Sequence, residues 1–428
     1  MRFAAAFLIV FVVASVTLTA QAWFEDKSLR DLAHLEEAAA RIVFGKFVDH
    51  HERSYAQDLK EAEDRFQVFW ENMKFVAAHN QKGASFEVEL NHLADLRAEE
   101  ALAQRMGLRA TAAARPLPGP KEEIKARFDP FPRATPGHSE CAFRLRDVRP
   151  PRAVDWREVG VVAPVKDQMS CGSCWAYATT SATESVLAID SGKMVELSEQ
   201  FLTDCNWMSN KCVGGNMEEG YKWMTGAGYV TLEDYPYAAQ KAYNKCNMSW
   251  YNAPSRGTID TYEMIPEGEE NLKKAVAIQP VSVGLDANHK EFLFYKGGIF
   301  DHQPCNDTEE LLTHAITAVG YGEEQGVGYW ILRNQWSTGW GEDGYVRMAM
   351  GKGPAGLCGI ARIPSRPVMD GSVDFHLYSH LPEWALQARR QVVKNEKVWE
   401  SADNKNSVLG ITSDPKSSTA NRSRKALV

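Results

Sequence analysis

The chain has 428 residues, 44% of them hydrophobic and 24% charged, which leaves room for two or three domains and a large core. Its 48 basic and 56 acidic residues give a formal charge of -8, and no block of one sign dominates any stretch, so nucleic acid is not an expected partner. Eight cysteines in a chain that opens like a secreted one suggest disulfides.

Residues 1–22 have the three parts of a secretory signal: Met1-Arg2, an apolar run over 3–14, and Ala20-Gln21-Ala22 before the expected cut. The run is too short for a bilayer, which needs roughly 20 apolar residues. No later segment is apolar enough to span one, so no membrane span is expected after signal removal.

Residues 29–100 are charged and helical in pattern. Phe66, Phe69, Met73, Val76 and Ala77 fall at helical spacing within 61–80, which predicts an amphipathic helix. A second stripe, Glu61, Arg65, Phe69, Asn72, Val76 and Asn80, runs along one side of the same helix. Residues 108–150 are rich in proline and read as an exposed linker without regular structure. From Val154 to about Ile363 the chain turns aromatic and glycine-rich, with strands expected at 329–333 and 344–350. Residues 369–428 are polar again. One short helix is predicted over 382–400, with Trp384, Ala388, Val392 and Trp399 partly on one face, and disorder from Ser401 onward.

The sharpest motif is Gln168-Met169-Ser170-Cys171-Gly172-Ser173-Cys174-Trp175. Trp175, Ala178, Ala182, Val186 and Ile189 share one helical face, and Ser191-Gly192 stops the pattern. Cys174 therefore heads a helix, where backbone N–H groups favour a thiolate. Seven cysteines follow Pro150, an odd number, so three bridges would leave one thiol free for chemistry. A nucleophilic thiol needs a base within hydrogen-bond reach and a third group to orient it. His314 heads an apolar stretch and Asn334 closes a strand. Taken alone, that histidine reads as a packed core residue and that asparagine as a turn residue. Cys171 and Cys174 would also suit a redox pair or half a zinc site, but no second C-x-x-C or paired histidine completes a cage, so no metal and no cofactor are expected.

The Cys-Gly-Ser-Cys-Trp sequence followed by a distant histidine and asparagine resembles the papain and cathepsin L-like family of cysteine peptidases. The resemblance extends from about residue 29 to 368. It includes the stripe from Glu61 to Asn80, Asn91-His92-Leu93-Ala94-Asp95, Val154-Asp155-Trp156-Arg157, Leu197-Ser198-Glu199-Gln200, Cys212-Val213-Gly214-Gly215 and the run from Gly339 to Gly344.

The resemblance implies an α+β, papain-like two-lobed peptidase at 151–368, a helical lobe plus a β-barrel-like lobe. It also implies a helical inhibitory pro-domain at 23–107 whose tail runs through the cleft. Activation cleavage is then expected within 149–152, promoted by acid as carboxylates protonate. It casts Cys174 as nucleophile, His314 as its proton partner, Asn334 as the orienting group, Trp336 as its shield, and Gln168 with the Cys174 backbone N–H as oxyanion donors. Gly214 and Gly215 would offer backbone groups to a substrate. Met217, Gly284, Ala315 and Ile363 would line a second subsite that favours a bulky hydrophobic side chain.

The same resemblance pairs Cys171 with Cys212, Cys205 with Cys246 and Cys305 with Cys358, and leaves Cys141 in the linker without a partner. Departures from the family are Met169, Thr313, Gln335, Ser337 and Glu89. Asn247, Asn306 and Asn421 head glycosylation sequons. The implied partners are peptide and protein substrates, the chain's own pro-segment and cystatin-like inhibitors. The implied form is a monomer, bound for a lysosome, a vacuole or the exterior. A catalytically silent scaffold that binds peptides is the rival reading.

Overall fold

In this computed structural model, residues 37–109, 141, 144–239, 246, 257–369 and 380–408 are described, except the side chains of 396 and 398–408. The signal segment, Asn247 and Asn421 lie outside them. Helix α1 (Glu37–His50) turns Ala40, Phe44 and Phe47 onto helix α2 (Leu59–Asn80), where Phe69 meets Phe44 and Phe47 with ring centroids 5.4 and 4.9 Å apart. Asp58 caps α2 by accepting from the backbone N–H groups of Lys60 and Glu61.

The second stripe has a physical reason, since the chain folds back along it. Asn72 donates to the carbonyls of Ala94 and Leu96, Asn80 pairs with the backbone of Val88, and Arg65 binds Glu100. Strand β1 (Phe86–Val88) then joins strand β5 (Tyr295–Phe300) antiparallel, and helix α3 (Ala98–Arg105) carries the chain toward the rest of the molecule.

After the short strand β2 (Val154–Asp155), helix α4 (Cys174–Ser191) is buried nearly all round, and Gly192, at φ 71°, ends it in the left-handed conformation that glycine adopts without a Cβ penalty. Helices α5 (Glu199–Cys205) and α6 (Met217–Gly226) complete one lobe, with Trp175, Phe201, Tyr221, Trp223 and Met224 in its core.

The other lobe holds β3 (Thr261–Met264), helix α7 (Glu269–Val276), and strands β4 (Val281–Leu285), β5, β6 (His314–Glu324), β7 (Val327–Arg333), β8 (Tyr345–Ala349) and β9 (Ser365–Val368). The sheet order is β1-β5-β8-β7-β6-β4-β9-β3, with β2 beside β6. Its core includes Phe292, Tyr295, Trp330, Trp336 and Trp340. Two lobes with separate cores make the α+β architecture that the motifs imply, and the three disulfides join the expected partners.

Two expectations need correction. Residues 141 and 144–145 are helical, and Cys141, Leu145 and Val148 are buried, so the end of the proline-rich stretch is docked and not an open linker. The C-terminal helix α8 (Glu383–Val408) also runs eight residues into a part read as disordered. Its first turns are held by packing, Trp384 against Trp156 at 4.8 Å and Ala385 and Ala388 in the core. A nucleated helix then adds one hydrogen bond for each residue fixed, so composition alone underestimates its length.

Candidate active site

Helix α4 fixes Cys174 as its first residue, with Ser173 at the cap position. Across the cleft, β4 and β6 pair with Leu285 opposite His314, and β6 and β7 pair with Thr317 opposite Arg333. That register sets Asn334, one residue past the end of β7, beside the start of β6. The imidazole Nε2 of His314 lies 2.9 Å from Asn334 Oδ1. The ring of Trp336, also fully buried, sits 4.9 Å from the His314 ring. His314 Nδ1 has no hydrogen-bond partner among the described residues.

Gln168 is fully buried beside this group. Its amide nitrogen donates to the carbonyls of Arg105 at 2.9 Å and Cys171 at 2.6 Å, and its oxygen accepts from Trp336 Nε1 at 3.1 Å. Arg105 is the last residue of α3, so a backbone carbonyl from the upstream domain occupies the donor that the sequence assigns to an oxyanion. The Arg105 side chain is anchored too, by a largely buried ion pair with Asp167 at 2.7 Å.

The chain beyond Arg105 crosses the cleft. A Cβ on Gly107 would meet the Gly172 carbonyl oxygen at 1.9 Å, so only glycine passes there. Gly215 donates to the Gly107 carbonyl and accepts from the Arg109 N–H, each at 2.9 Å, in a parallel bridge centred on Leu108. Leu108 donates to the Thr313 carbonyl and is buried in one cluster with Met217 and Ala315, against Ile363. A Cβ on Gly284 would lie 2.7 Å from Leu108 Cδ2, so the absence of a side chain at Gly284 makes the space that Leu108 fills. Of the six residues expected to form the substrate pocket, Gly215 and Gly284 adjoin this leucine directly, and Met217, Ala315 and Ile363 belong to its cluster. A Cβ on Gly214 would meet the Gly107 carbonyl and the Arg109 side chain.

Burial controls the electrostatics. It pushes the Cys174 thiol up to about 11, against backbone hydrogen bonds at Ala315, Gly107, Trp175 and Cys174 itself that pull the other way. It pushes His314 down to about 4, although the Asn334 bond favours the charged ring. Burial of the covered cleft thus favours the neutral thiol and the neutral imidazole, against the pull of the helix N-terminus toward a thiolate.

The sequence did not point to Gln335, Arg105 or Leu108. Gln335 Nε2 donates to Gln168 Oε1 at 3.1 Å and to the Ala315 carbonyl at 2.9 Å, and lies 3.3 Å from His314 Nε2. Both amide protons are spent on oxygens, so His314 keeps its bond to Asn334. The signal was present as a departure from the family pattern at that position, but its reach across the cleft floor is a matter of three dimensions. Asn306 is exposed, and its side-chain amide donates to Asp286 at 2.7 Å, which a glycan there would have to displace.

A model of papain family cysteine proteases matches residues 150–368, and one of the cathepsin propeptide inhibitor domain (I29) matches residues 44–101. The probable cysteine protease RDL6 of Arabidopsis thaliana is 37% identical over 336 residues, covering 77% of this chain and 87% of the relative. The KDEL-tailed cysteine endopeptidase CEP2 of the same plant is 38% identical over 368 residues, covering 84% and 94%. Among solved structures, the proform of the ragweed pollen allergen Amb a 11, a cysteine protease, superposes with a TM-score of 0.66 at 28% identity, covering 81% of this chain and 98% of that one. Digestive procathepsin L 3 of Tenebrio molitor larval midgut gives 0.64 at 31% identity, covering 77% and 99%.

A buried thiol in a cleft closed by the chain's own upstream segment defines the class, a cysteine protease in precursor form. More closely, the chain belongs to the papain family of cysteine proteases and carries a cathepsin-type propeptide inhibitor domain.

Proposed function

We propose that the matured protein is an endopeptidase in which Cys174 and His314 form a thiolate–imidazolium pair. The observation that carries this is the juxtaposition of His314 and Asn334 at 2.9 Å with the Gln168 amide, at the mouth of the helix that Cys174 opens. The Cys174 sulfur attacks the scissile carbonyl carbon, and the resulting oxyanion is held by the Gln168 amide and the Cys174 backbone N–H. The C–N bond breaks as His314 gives its proton to the leaving amine, which leaves a thioester on sulfur. Water then adds to the thioester with His314 as base, and the acid product and free thiol are released. Asn334 holds the ring through these steps, and Trp336 keeps water from the bond between them.

Removal of the residues 105–109 from the cleft is the activating event in this reading. It frees the Gln168 amide and admits water, which lifts the burial that keeps the thiol and imidazole neutral. Leu108 marks the second subsite, so a substrate should place a bulky apolar side chain against Met217, Gly284, Ala315 and Ile363. Supporting partners are peptide substrates, the chain's own pro-domain and cystatin-like inhibitors. The product is read as a monomer of the secretory pathway or vacuole.

Peptide hydrolysis by matured wild type, Cys174→Ala and His314→Ala tests the assignment. Activity only in the wild type is expected, with acyl groups trapped on Cys174 in quenched reactions. A Cys174→Ala protein that still hydrolyses peptides, or a wild type that never does, sinks it, and the latter outcome favours the silent scaffold. Profiling with a mixed peptide library should return Leu, Phe or Val at the second subsite.

A further inference from the structure

Cys141, residues 144–148 and α8 meet on the catalytic domain. Cys141, Leu145 and Val148 are 0, 1 and 2% exposed. Arg144 Nη1 binds Glu263 Oε1 at 2.9 Å, and the other oxygen of Glu263 accepts from Arg366 Nε at 2.7 Å and from the Cys141 thiol at 3.5 Å. Glu263 lies on β3 and Arg366 on β9, so this buried carboxylate is shared between the sheet and the segment upstream of it. Burial acts to raise the Glu263 carboxyl, yet the two guanidinium groups hold it below its usual value. From the other side, buried Asn395 on α8 donates to the Arg144 carbonyl at 2.9 Å, while Trp384 packs on Trp156. The tie continues downstream, where Tyr321 donates to the Pro151 carbonyl and Arg152 pairs with Glu323 before β2 joins β6.

We propose that Cys141 and residues 144–148 form a strap belonging to the mature enzyme, clasped by α8, and that processing leaves them covalently attached. A peptidase must draw several extended residues into its cleft, and a segment held by buried contacts on both sides cannot enter one without being stripped away first. A cut within 149–152 would also let Arg144 leave Glu263, so a buried carboxylate would lose one of its two cations. Arg149 and Arg152 are exposed, but exposure of a side chain does not free the backbone between Val148 and Val154. The expected cleavage at 149–152 is therefore replaced by processing on the N-terminal side of Cys141. The C-terminal extension acquires a purpose at the same time, since its helix covers the strap.

Cys141 supplies the readout. Among the described cysteines only Cys141 and Cys174 are outside disulfides. Full-length Cys174→Ala precursor is treated at acid pH with an added papain-family peptidase until the pro-domain is gone. It is then unfolded without reductant, titrated with a thiol reagent and sequenced from its N-terminus. One thiol per chain, silent before unfolding, and an N-terminus upstream of residue 141 are expected. No thiol, with an N-terminus at 149 or beyond, overturns the proposal. In the Arg144→Met/Asn395→Ala double variant the same peptidase should cut beyond Val148 at least tenfold faster, and an unchanged rate overturns the role of the clasp. None of these readouts uses the chain's own activity, so they stand apart from the catalytic assignment.

Discussion

At the scale of single residues, the cleft floor is one hydrogen-bonded set, and its members should differ in what they contribute. If Gln168 is an oxyanion donor as proposed, Gln168→Ala should lower kcat by about 100- to 1000-fold with little change in KM. Gln335 acts one step back, by holding the Gln168 amide through its oxygen. Replacing it in Gln335→Met removes neutral hydrogen bonds worth about 1 kcal/mol, so a fall of roughly fivefold in kcat is expected. In the Gln168→Ala background the same change should do almost nothing, and additive losses in that double-mutant cycle would contradict the coupling. Cys174, His314 and Asn334 were legible because their residue types, order and helix or strand context are tied to chemistry. Gln335 was not, because a glutamine after Asn334 says nothing by itself about which oxygen its amide reaches.

At the scale of elements, the pro-domain is held by α2, β1 and α3, and two of its histidines, His51 and His92, are expected to make that hold sensitive to acid. Burial, reinforced by Arg105, pushes His92 down to about 3, and burial with Arg53 pushes His51 down to about 4. A histidine near its usual 6.5 when exposed takes up a proton that its buried form refuses, so the unfolded or undocked state binds more protons between those values. The docked state therefore weakens as pH falls from about 6.5 toward 4, and below that window His51 adds nothing further. Glu100, held below its usual range despite partial burial by the Arg97 backbone and Arg65, adds loss only at more acid pH.

The thermal midpoint of the Cys174→Ala precursor should fall across the first window, and His92→Gln should flatten that fall. A midpoint that is constant from pH 7 to 4 would contradict the histidine account. Acid promotion was expected from carboxylates alone. The helical stripe along which this domain folds back was readable from its period, whereas its buried histidines were not, since burial is not visible in a one-dimensional pattern.

At the scale of the molecule, two cores meet at a cleft, and Leu108 lies in it, with backbone bonds at Thr313 on one side and Gly215 on the other; in the proposed reading it takes the place of a substrate side chain. Leu108→Asp would place a charge in the apolar cluster that holds Met217, Ala315 and Ile363. The variant precursor should hydrolyse a small peptide ester at neutral pH faster than the wild-type precursor by at least tenfold. Equal rates would mean that Leu108 does not hold the cleft shut. The lobes, the order of motifs and the disulfide partners could be anticipated because the family resemblance spans them. The strap and α8 could not, because proline content and polar composition describe local tendency while Glu263, Trp156 and Asn395 supply contacts from far along the chain.

The central claim is that the covered cleft keeps Cys174 a neutral thiol and that uncovering it makes the thiolate. The direct measurement is the rate at which an epoxide alkylates Cys174, mapped by mass spectrometry, in precursor and matured protein across pH. The account predicts fast labelling of matured protein at about pH 6, where an ordinary thiol is almost wholly protonated, and slow labelling of the precursor. Equal rates in the two forms, or labelling of the matured protein that rises only near pH 9, would contradict it.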